Sequence, residues 1–188
     1  FPTRRSSDLT FHNQVVGANG QRQAMFIENV EGLAKQIIKN FIFRENDVFM
    51  LFSTSGVGSV VVEMAREAKK MCKKVIVVTS VENCELSEAK YSRGKKLIDY
   101  ADIVINTHVP IGDAAVKIDN LMYHVSPVST IANTLVVNLI KARVAELLTL
   151  KGKPPYVLSS ALVVGKEASQ ESFEKAYNDY RRRVNRSE

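Results

Sequence analysis

The sequence contains no tryptophan and only two cysteines among its 188 residues. Cys72 and Cys84 show neither the spacing of a zinc site nor a pairing pattern. This excludes the classes of small domain that depend on structural zinc or on several disulfides, and it suits a reducing compartment. We therefore expect no metal site, and we expect the protein to act in the cytoplasm.

Long uninterrupted apolar runs are also missing. The most apolar segment covers residues 131–150, but five polar or charged residues interrupt it: Asn133, Asn138, Lys141, Arg143 and Glu146. A membrane-spanning helix needs about 20 consecutive, predominantly apolar residues. The segment therefore predicts a buried helix, and no membrane partner is expected.

The glycine motifs of nucleotide-binding proteins are absent as well. The glycine-containing loop STSGVGS, residues 53–59, has no lysine in a Walker pattern, which argues against a nucleoside triphosphate. Its glycine spacing does not fit G-x-G-x-x-G, which argues against a dinucleotide, so no cofactor is expected. Four arginines near the C-terminus most simply form a solvated helix end and give no direct evidence for nucleic acid: Arg181, Arg182, Arg183 and Arg186.

Strand and helix patterns alternate along the chain. Continuous apolar runs, typical of strands covered on both faces, occupy residues 48–52, 75–79 and 102–107. Helical spacing of apolar residues predicts helices near 26–41, 57–71, 128–150 and 171–184, after a loop that extends through residue 23. Residues 156–164 are expected to be extended. This order predicts a single α/β domain with three αβα layers and a parallel sheet.

The loop after the first strand is the best candidate site, because open α/β sheets bind ligands at the carboxyl ends of their strands. Ser53, Thr54 and Ser55 supply three hydroxyls, and Gly56 and Gly58 let the backbone approach a ligand closely. A helix begins immediately afterwards, and its N-terminus favours an anion such as a phosphate monoester. The competing interpretation is a tight turn in which Ser55 merely caps the helix.

The stretch VFMLFSTSGVGSVVVEMAREAKKMCKKVIVVTS resembles the sugar isomerase (SIS) domain, whose Ser-x-Ser-Gly loop holds a sugar phosphate. The similarity continues through YSRGKKLIDYADIVINTHVPIGDAAVKI, VSPVSTIANTLVVNLI and KPPYVLSSALVVG, in the order seen in stand-alone bacterial SIS proteins of unassigned function. The resemblance implies a flavodoxin-like sheet and a set of phosphate contacts: Ser53, Thr54, Ser55, Gly56 and Ser59. It implies further ligand contacts at Thr79, Ser80, Ser129 and Thr130.

Gly58 stands where SIS enzymes often carry a further Ser or Thr, and Ser59 follows it. The resemblance implies that the protein binds a phosphorylated sugar or a related carbohydrate derivative, with isomerisation or another proton transfer as the reaction. Two alternatives stay open: a non-catalytic sensor domain of a transcriptional regulator, and a sugar-phosphate etherase or lyase.

Aldose–ketose isomerisation needs a base and a ring-opening group, usually Glu and His. The helix that follows VSPVST has no ionisable residue between Ser129 and Ile140, which counts against an isomerase of the familiar type. The candidates elsewhere are His12, His108, Asp113 and His124, of which His108 and Asp113 follow the third strand. His12 precedes Asn13, where related proteins often have Glu.

The first nine residues, FPTRRSSDL, correspond to the codons TTC-CCT-ACA-CGA-CGC-TCT-TCC-GAT-CTN, which resemble a sequencing adapter. We therefore expect residues 1–9 to be foreign and residues 10–188 to form a partial SIS domain that lacks its first strands. The strand at residues 48–53 would then have an exposed edge, which favours self-association. The long helix at residues 130–150 is also expected to pack against a second subunit, in a homodimer or larger assembly.

Overall fold

The computed structural model describes residues 14–71 and 73–184. The chain divides into two compact units. The larger unit holds the described residues up to 137, and the smaller unit holds those from 138 onward. All the candidate site residues that the structure describes belong to the larger unit.

The larger unit is built on a parallel sheet of three strands in the order β1-β2-β3. The strands are β1 (Val48–Phe52), β2 (Lys74–Thr79) and β3 (Ile103–Asn106). Phe52 is in register with Val78, and Val78 with Ile105, so the three carboxyl ends lie at one edge of the sheet. The α/β class predicted from the sequence is confirmed, and the strands with their connecting helices are consistent with the expected αβα arrangement.

The helix α3 (Ser59–Lys70) connects β1 to β2 and packs against both strands. Five of its apolar residues are buried: Val60, Val62, Met64, Ala65 and Ala68. Val75, Val77 and Val78 of β2 are fully buried, as the continuous apolar run predicted. After β2 come the short helix α4 (Val81–Leu86) and a 3₁₀ turn at Leu97–Tyr100.

The region before β1 differs from the prediction. Instead of a loop followed by one helix over residues 26–41, the chain forms α1 (Gln14–Ile27) and the short α2 (Leu33–Ile38). The break falls at Gly32, which has a left-handed backbone with φ of 90°. Its N–H donates to Oε2 of the buried Glu63 on α3 at 2.8 Å. A tertiary contact therefore ends the apolar periodicity that the sequence suggested.

An antiparallel hairpin follows β3 and was not predicted. Its strands are β4 (Ala114–Val116) and β5 (Val125–Pro127), with Val116 opposite Val125. The long helix α5 (Ser129–Leu150) begins two residues after β5, close to its predicted start. The hairpin thus delivers the chain from the carboxyl end of β3 to the N-terminus of α5.

The smaller unit contains the remaining two helices, α6 (Ala161–Val164) and α7 (Lys166–Val184). The extended segment predicted over residues 156–164 is wrong for its last four residues, because Ser160 caps α6 by accepting from the N–H of Leu162 at 3.3 Å. The last helix begins five residues before its predicted start. None of the helices within the described ranges is both long and apolar enough to cross a membrane.

Candidate phosphate site

The loop between β1 and α3 is held in shape by its own backbone and one serine. The N–H of Ser53 donates to the carbonyl of Val78 at 3.1 Å, so the loop starts in register with β2. Oγ of Ser53 accepts from the N–H of Gly56 at 3.1 Å and closes a tight turn. The carbonyl of Gly56 accepts from the N–H of Leu97 at 2.8 Å. The loop is therefore fixed at both ends before any ligand arrives.

Gly56 is required by this geometry. Its φ is 62°, in the left-handed region that side chains disfavour. A Cβ at this position would lie 2.9 Å from Sγ of Cys84 and 3.3 Å from Oγ1 of Thr79. The backbone of the loop consequently lies directly on the buried side chains beneath it. Gly56, which the sequence predicts to let the backbone approach a ligand, is therefore required for packing within the protein itself.

Several donors in the same loop have no partner. Among the described residues, nothing accepts a hydrogen bond from the backbone N–H of Thr54, Ser55, Val57 or Gly58. The hydroxyls of Thr54 and Ser55 are likewise unpaired within the described part of the chain. Val57 is only 3% exposed, and buried backbone N–H groups are almost always paired. The loop therefore offers a cluster of donors without an acceptor.

The first turn of α3 is partly closed. The N–H of Val60 donates to the carbonyl of Glu28 at 3.0 Å, so a segment of the chain itself occupies one helix-terminal donor. Ser59, predicted as a phosphate contact, is 1% exposed and lies beneath the loop. The N–H of Gly56, also predicted to serve phosphate, is engaged by Ser53. Within the first turn of α3, Val60 and Val62 are thus paired, and the open donors of the loop lie immediately before the helix.

Thr79 and Ser80, predicted as further ligand contacts, connect the loops instead of facing outward. Both are buried. Oγ1 of Thr79 donates to the carbonyl of Thr54 at 3.1 Å, and the N–H of Ser80 donates to the same carbonyl at 3.2 Å. Oγ of Ser80 donates to the carbonyl of Val109, beyond β3, at 2.9 Å. This geometry favours a supporting role: Ser80 ties together the loops that follow all three strands.

Asn83 completes this connection and was not selected from the sequence. Its Nδ2 donates to Oγ of Ser80 at 2.8 Å and to the carbonyls of Val109 and Pro110 at 3.1 and 3.0 Å. Its Oδ1 accepts from the N–H of Gly112 at 2.9 Å. The available signal was its place in the loop after the second strand, but nothing in the sequence indicates that it would reach the third loop.

His108 is paired with Glu82, a residue that the sequence reading also missed. Nδ1 of His108 lies 3.1 Å from Oε1 of Glu82. Nδ2 of Asn106 donates to that same oxygen at 3.2 Å, and Oδ1 of Asn106 accepts from the N–H of His108 at 3.0 Å. The N–H of Glu82 itself and the Asn106 amide lower the pKa of the Glu82 carboxyl most. Burial opposes them, and the His108 imidazole adds a lesser lowering effect.

Asp113 caps α5 and does not pair with His108. Its backbone is left-handed, with φ of 69°, and its Oδ1 accepts from the N–H groups of Val128 and Ser129 at 3.0 and 2.7 Å. Oδ2 accepts from Oγ of Ser129 at 2.6 Å. Burial acts to raise the pKa of Asp113, but these hydrogen bonds outweigh it and lower the pKa. Ser129, predicted as a ligand contact, is thereby occupied by a carboxylate of the same chain.

The other predicted residues lie apart from this arrangement. Thr130 is exposed in the first turn of α5, and His124 is exposed in the turn of the hairpin. Neither side chain forms a hydrogen bond or an ion pair with another candidate residue in the described ranges. His12 lies outside the described residues. Among those that are described, no three His, Cys, Asp or Glu residues come close enough to hold a metal ion.

The family model of the SIS domain matches residues 5–80, which include β1, β2 and the loop between β1 and α3. The match relates the chain to carbohydrate derivatives. It also overlaps residues 5–9, whose foreign origin stays a prediction.

Curated relatives extend the similarity along the rest of the chain. The UPF0309 protein of Thermoanaerobacter pseudethanolicus is 34% identical over 180 residues, which cover 95% of this chain and 69% of that protein. The UPF0309 protein of Halalkalibacterium halodurans is 31% identical over 158 residues, 84% of this chain and 64% of the relative. That of Caldanaerobacter subterraneus subsp. tengcongensis is 30% identical over 181 residues, 95% and 70% of the two chains. The chain belongs to the UPF0309 family of SIS-domain proteins.

Proposed function

We propose that the protein binds a phosphorylated sugar, or a closely related carbohydrate derivative, with its phosphate in the loop of residues 53–58. The observation that carries the proposal is the group of unpaired donors in this loop. The backbone N–H groups of Thr54, Ser55, Val57 and Gly58 have no acceptor in the described structure, and neither do the hydroxyls of Thr54 and Ser55. Val57 is buried. An anion bound there would supply the missing acceptor.

A phosphate monoester fits this donor set in number and charge. Its three terminal oxygens can each accept more than one hydrogen bond, and bonds to a charged acceptor are stronger than neutral ones. The twelve-residue helix α3 begins at the end of the loop and adds the favourable end of its dipole. The hydroxyl of Ser53, which accepts from Gly56, can still donate to a phosphate oxygen.

The proposal is tested by replacing Ser55 with alanine. Ser55 is the cleanest position, because its hydroxyl has no partner among the described residues and its loss leaves the turn intact. Loss of one hydrogen bond to a charged group costs about 1.5–3 kcal/mol, so the affinity for fructose 6-phosphate, glucose 6-phosphate or glucosamine 6-phosphate should fall roughly 10- to 150-fold. Isothermal titration calorimetry measures the change.

The matched control is Ser87→Ala at the end of α4, whose hydroxyl is equally unpaired in the described structure but lies outside the loop. Its affinity should equal that of the unchanged protein. Equal affinity of the Ser55→Ala variant would remove Ser55 from the site. Failure of all three sugar phosphates to bind the unchanged protein would overturn the proposal.

Binding alone does not separate an enzyme from a sensor. A sensor domain would hold the sugar phosphate unchanged, whereas an isomerase or related enzyme would move a proton on its carbon chain. We favour the enzyme because a second group of reactive side chains lies at the same edge of the sheet as the phosphate loop, at the carboxyl end of β3.

A further inference from the structure

Glu82, Asn106 and His108 form a connected cluster at the carboxyl ends of β2 and β3. Asn106 is the last residue of β3, and its amide binds both other members: the carboxylate of Glu82 through Nδ2 and the backbone of His108 through Oδ1. Oδ1 also accepts from the N–H of Val81 at 3.1 Å, which fixes the start of α4. The two loops therefore hold the carboxylate and the imidazole against each other.

The hydrogen bonds determine which nitrogen of His108 is available. An ionised carboxylate can only accept, so Nδ1 of His108 must carry the proton that lies between it and Glu82. In the neutral imidazole this leaves a lone pair on Nε2. The His108 side chain is 75% exposed, so Nε2 can be reached by a ligand. A carboxylate that orients a histidine in this way is a general arrangement for proton transfer.

The cluster lies within reach of a ligand that is anchored in the phosphate loop. Two strand spacings separate β1 from β3, or roughly 10 Å. Ser80 fixes this separation, because it binds the carbonyl of Thr54 in the first loop and that of Val109 immediately after His108. A six-carbon chain held at its phosphate end can extend along the sheet edge from one loop to the other.

We propose that His108 is the catalytic proton-transfer residue for the carbon chain of the bound sugar phosphate, with Glu82 and Asn106 as positioning residues. The inference rests on the proposed function. Nε2 removes the proton from the carbon next to the carbonyl, the C–H electron pair forms a carbon–carbon double bond, and the carbonyl electrons move onto its oxygen. The imidazolium then returns the proton to the same carbon, which gives exchange alone, or to the former carbonyl carbon once the hydroxyl proton has passed from one oxygen to the other, which gives isomerisation. The atoms and electrons balance without an oxidant or a reductant.

Deuterium exchange tests this step directly. The full chain is incubated in D₂O with fructose 6-phosphate, glucose 6-phosphate and glucosamine 6-phosphate in turn, and ¹H NMR follows loss of the C1 and C2 proton signals. The His108→Asn variant is suitable because Asn tolerates the left-handed backbone of His108, whose φ is 51°. General acid–base groups contribute 10²- to 10⁴-fold, so exchange should slow by at least about 100-fold while calorimetric affinity changes less than about threefold.

Glu82→Gln separates positioning from a purely structural role. A neutral amide no longer forces the proton onto Nδ1, so the ¹⁵N signals of the His108 ring should move toward the Nε2–H tautomer. Exchange should slow while affinity stays unchanged. Glu85→Gln is the control, since it removes the same charge from α4 without contacting His108. It should leave the exchange rate and the ring signals as they are.

The outcomes separate the two proposals. If a sugar phosphate binds but no proton exchanges, the assignment of His108 is wrong and the proposed binding function stands. If exchange proceeds at the same rate in the His108→Asn variant, the assignment is also wrong. If none of the three compounds binds, the proposed function fails and the inference fails with it.

Discussion

Replacement of Gly56 by alanine would add a methyl group to the tightest part of the phosphate loop. The new Cβ would lie 2.9 Å from Sγ of Cys84 and 3.4 Å from Cβ of Leu97, and both of these side chains are fully buried. The methyl group would also sit on a residue with a left-handed backbone. Backbone strain and overpacking therefore act together at one position.

The two effects have separate magnitudes. The left-handed conformation costs a non-glycine residue roughly 1–2 kcal/mol, and an extra methyl group forced into a packed core costs roughly 1–3 kcal/mol. Alanine also restricts the unfolded chain, which returns about 0.4–1 kcal/mol. We expect the Gly56→Ala variant to lose about 2–4 kcal/mol in its free energy of unfolding.

Urea denaturation followed by circular dichroism measures this loss, and Gly94→Ala is the matched control. Gly94 has nearly the same φ, 67°, but a Cβ there would meet nothing within 4 Å. The control carries the backbone strain without the contact, so it should lose no more than about 1.6 kcal/mol. If the two variants lose the same free energy, the close packing under Gly56 does not contribute and the reasoning is refuted.

A double variant isolates the contact itself. Cys84→Ala removes the sulfur atom that the new methyl group would strike. In the unchanged protein this substitution leaves a small cavity and should destabilise the fold. In the Gly56→Ala background it should destabilise less, or even stabilise, with a coupling of about 1 kcal/mol or more. Additive effects of the two substitutions would contradict the contact.

Two further predictions concern the N-terminus of α5 and the exposed edge of the sheet at β1. Asp113→Asn should lower the free energy of unfolding by about 1 kcal/mol, as expected for loss of a helix cap, while Asp119→Asn in the hairpin turn should have no effect. The hydrogen bonds outweigh burial and lower the pKa of Asp113 below its ordinary value of 3.8. The contribution of its carboxylate to the free energy of unfolding should therefore be complete above pH 3.8 and disappear as the pH falls through the folded-state pKa. Urea midpoints measured at several acidic pH values should fall less steeply in the Asp113→Asn variant, and parallel curves for the two proteins would count against the prediction. The chain should also self-associate, since β1 is an edge strand among the described residues and Val48 is 57% exposed. Gel filtration with light scattering should show oligomers, and the Val48→Lys variant should form fewer of them. A monodisperse monomer of the unchanged chain would contradict this prediction.

The parallel strands and α3 could be predicted because their signals are local. The continuous apolar runs that became β1 and β2 can be read without knowledge of the rest of the chain. The expected burial on both faces holds for β2, whereas Val48 and Phe52 of β1 are exposed. The loop between β1 and α3 was equally accessible as a candidate site, because its hydroxyls, its glycine and the following helix are adjacent in the sequence. The approach of Gly56 to a ligand stays a prediction; the structure shows that this glycine packs closely on Cys84 and Leu97 of the protein itself.

The remaining features depend on contacts between distant segments. Glu63 ends the predicted first helix by binding Gly32, 31 residues away. Glu82 was overlooked because its partner His108 lies 26 residues later, and the two meet only when β2 and β3 pair. Asp113 was considered as an acid or base, but the hairpin between it and Ser129 brings it to the start of α5. Local pattern cannot reveal such pairings.

The buried hydroxyl of Ser80 has a mechanical consequence for the whole edge of the sheet. Ser80 binds segments on both sides, the carbonyl of Thr54 through its backbone N–H and the carbonyl of Val109 through its hydroxyl. A ligand that draws the first loop inward must therefore also pull on the segment that carries His108. Ligand binding at the first loop would therefore also affect the position of the segment after β3. Differences in ligand specificity should consequently arise from the exposed side chains around this edge of the sheet. The buried hydrogen bonds of Ser80 keep the distance between the loops constant.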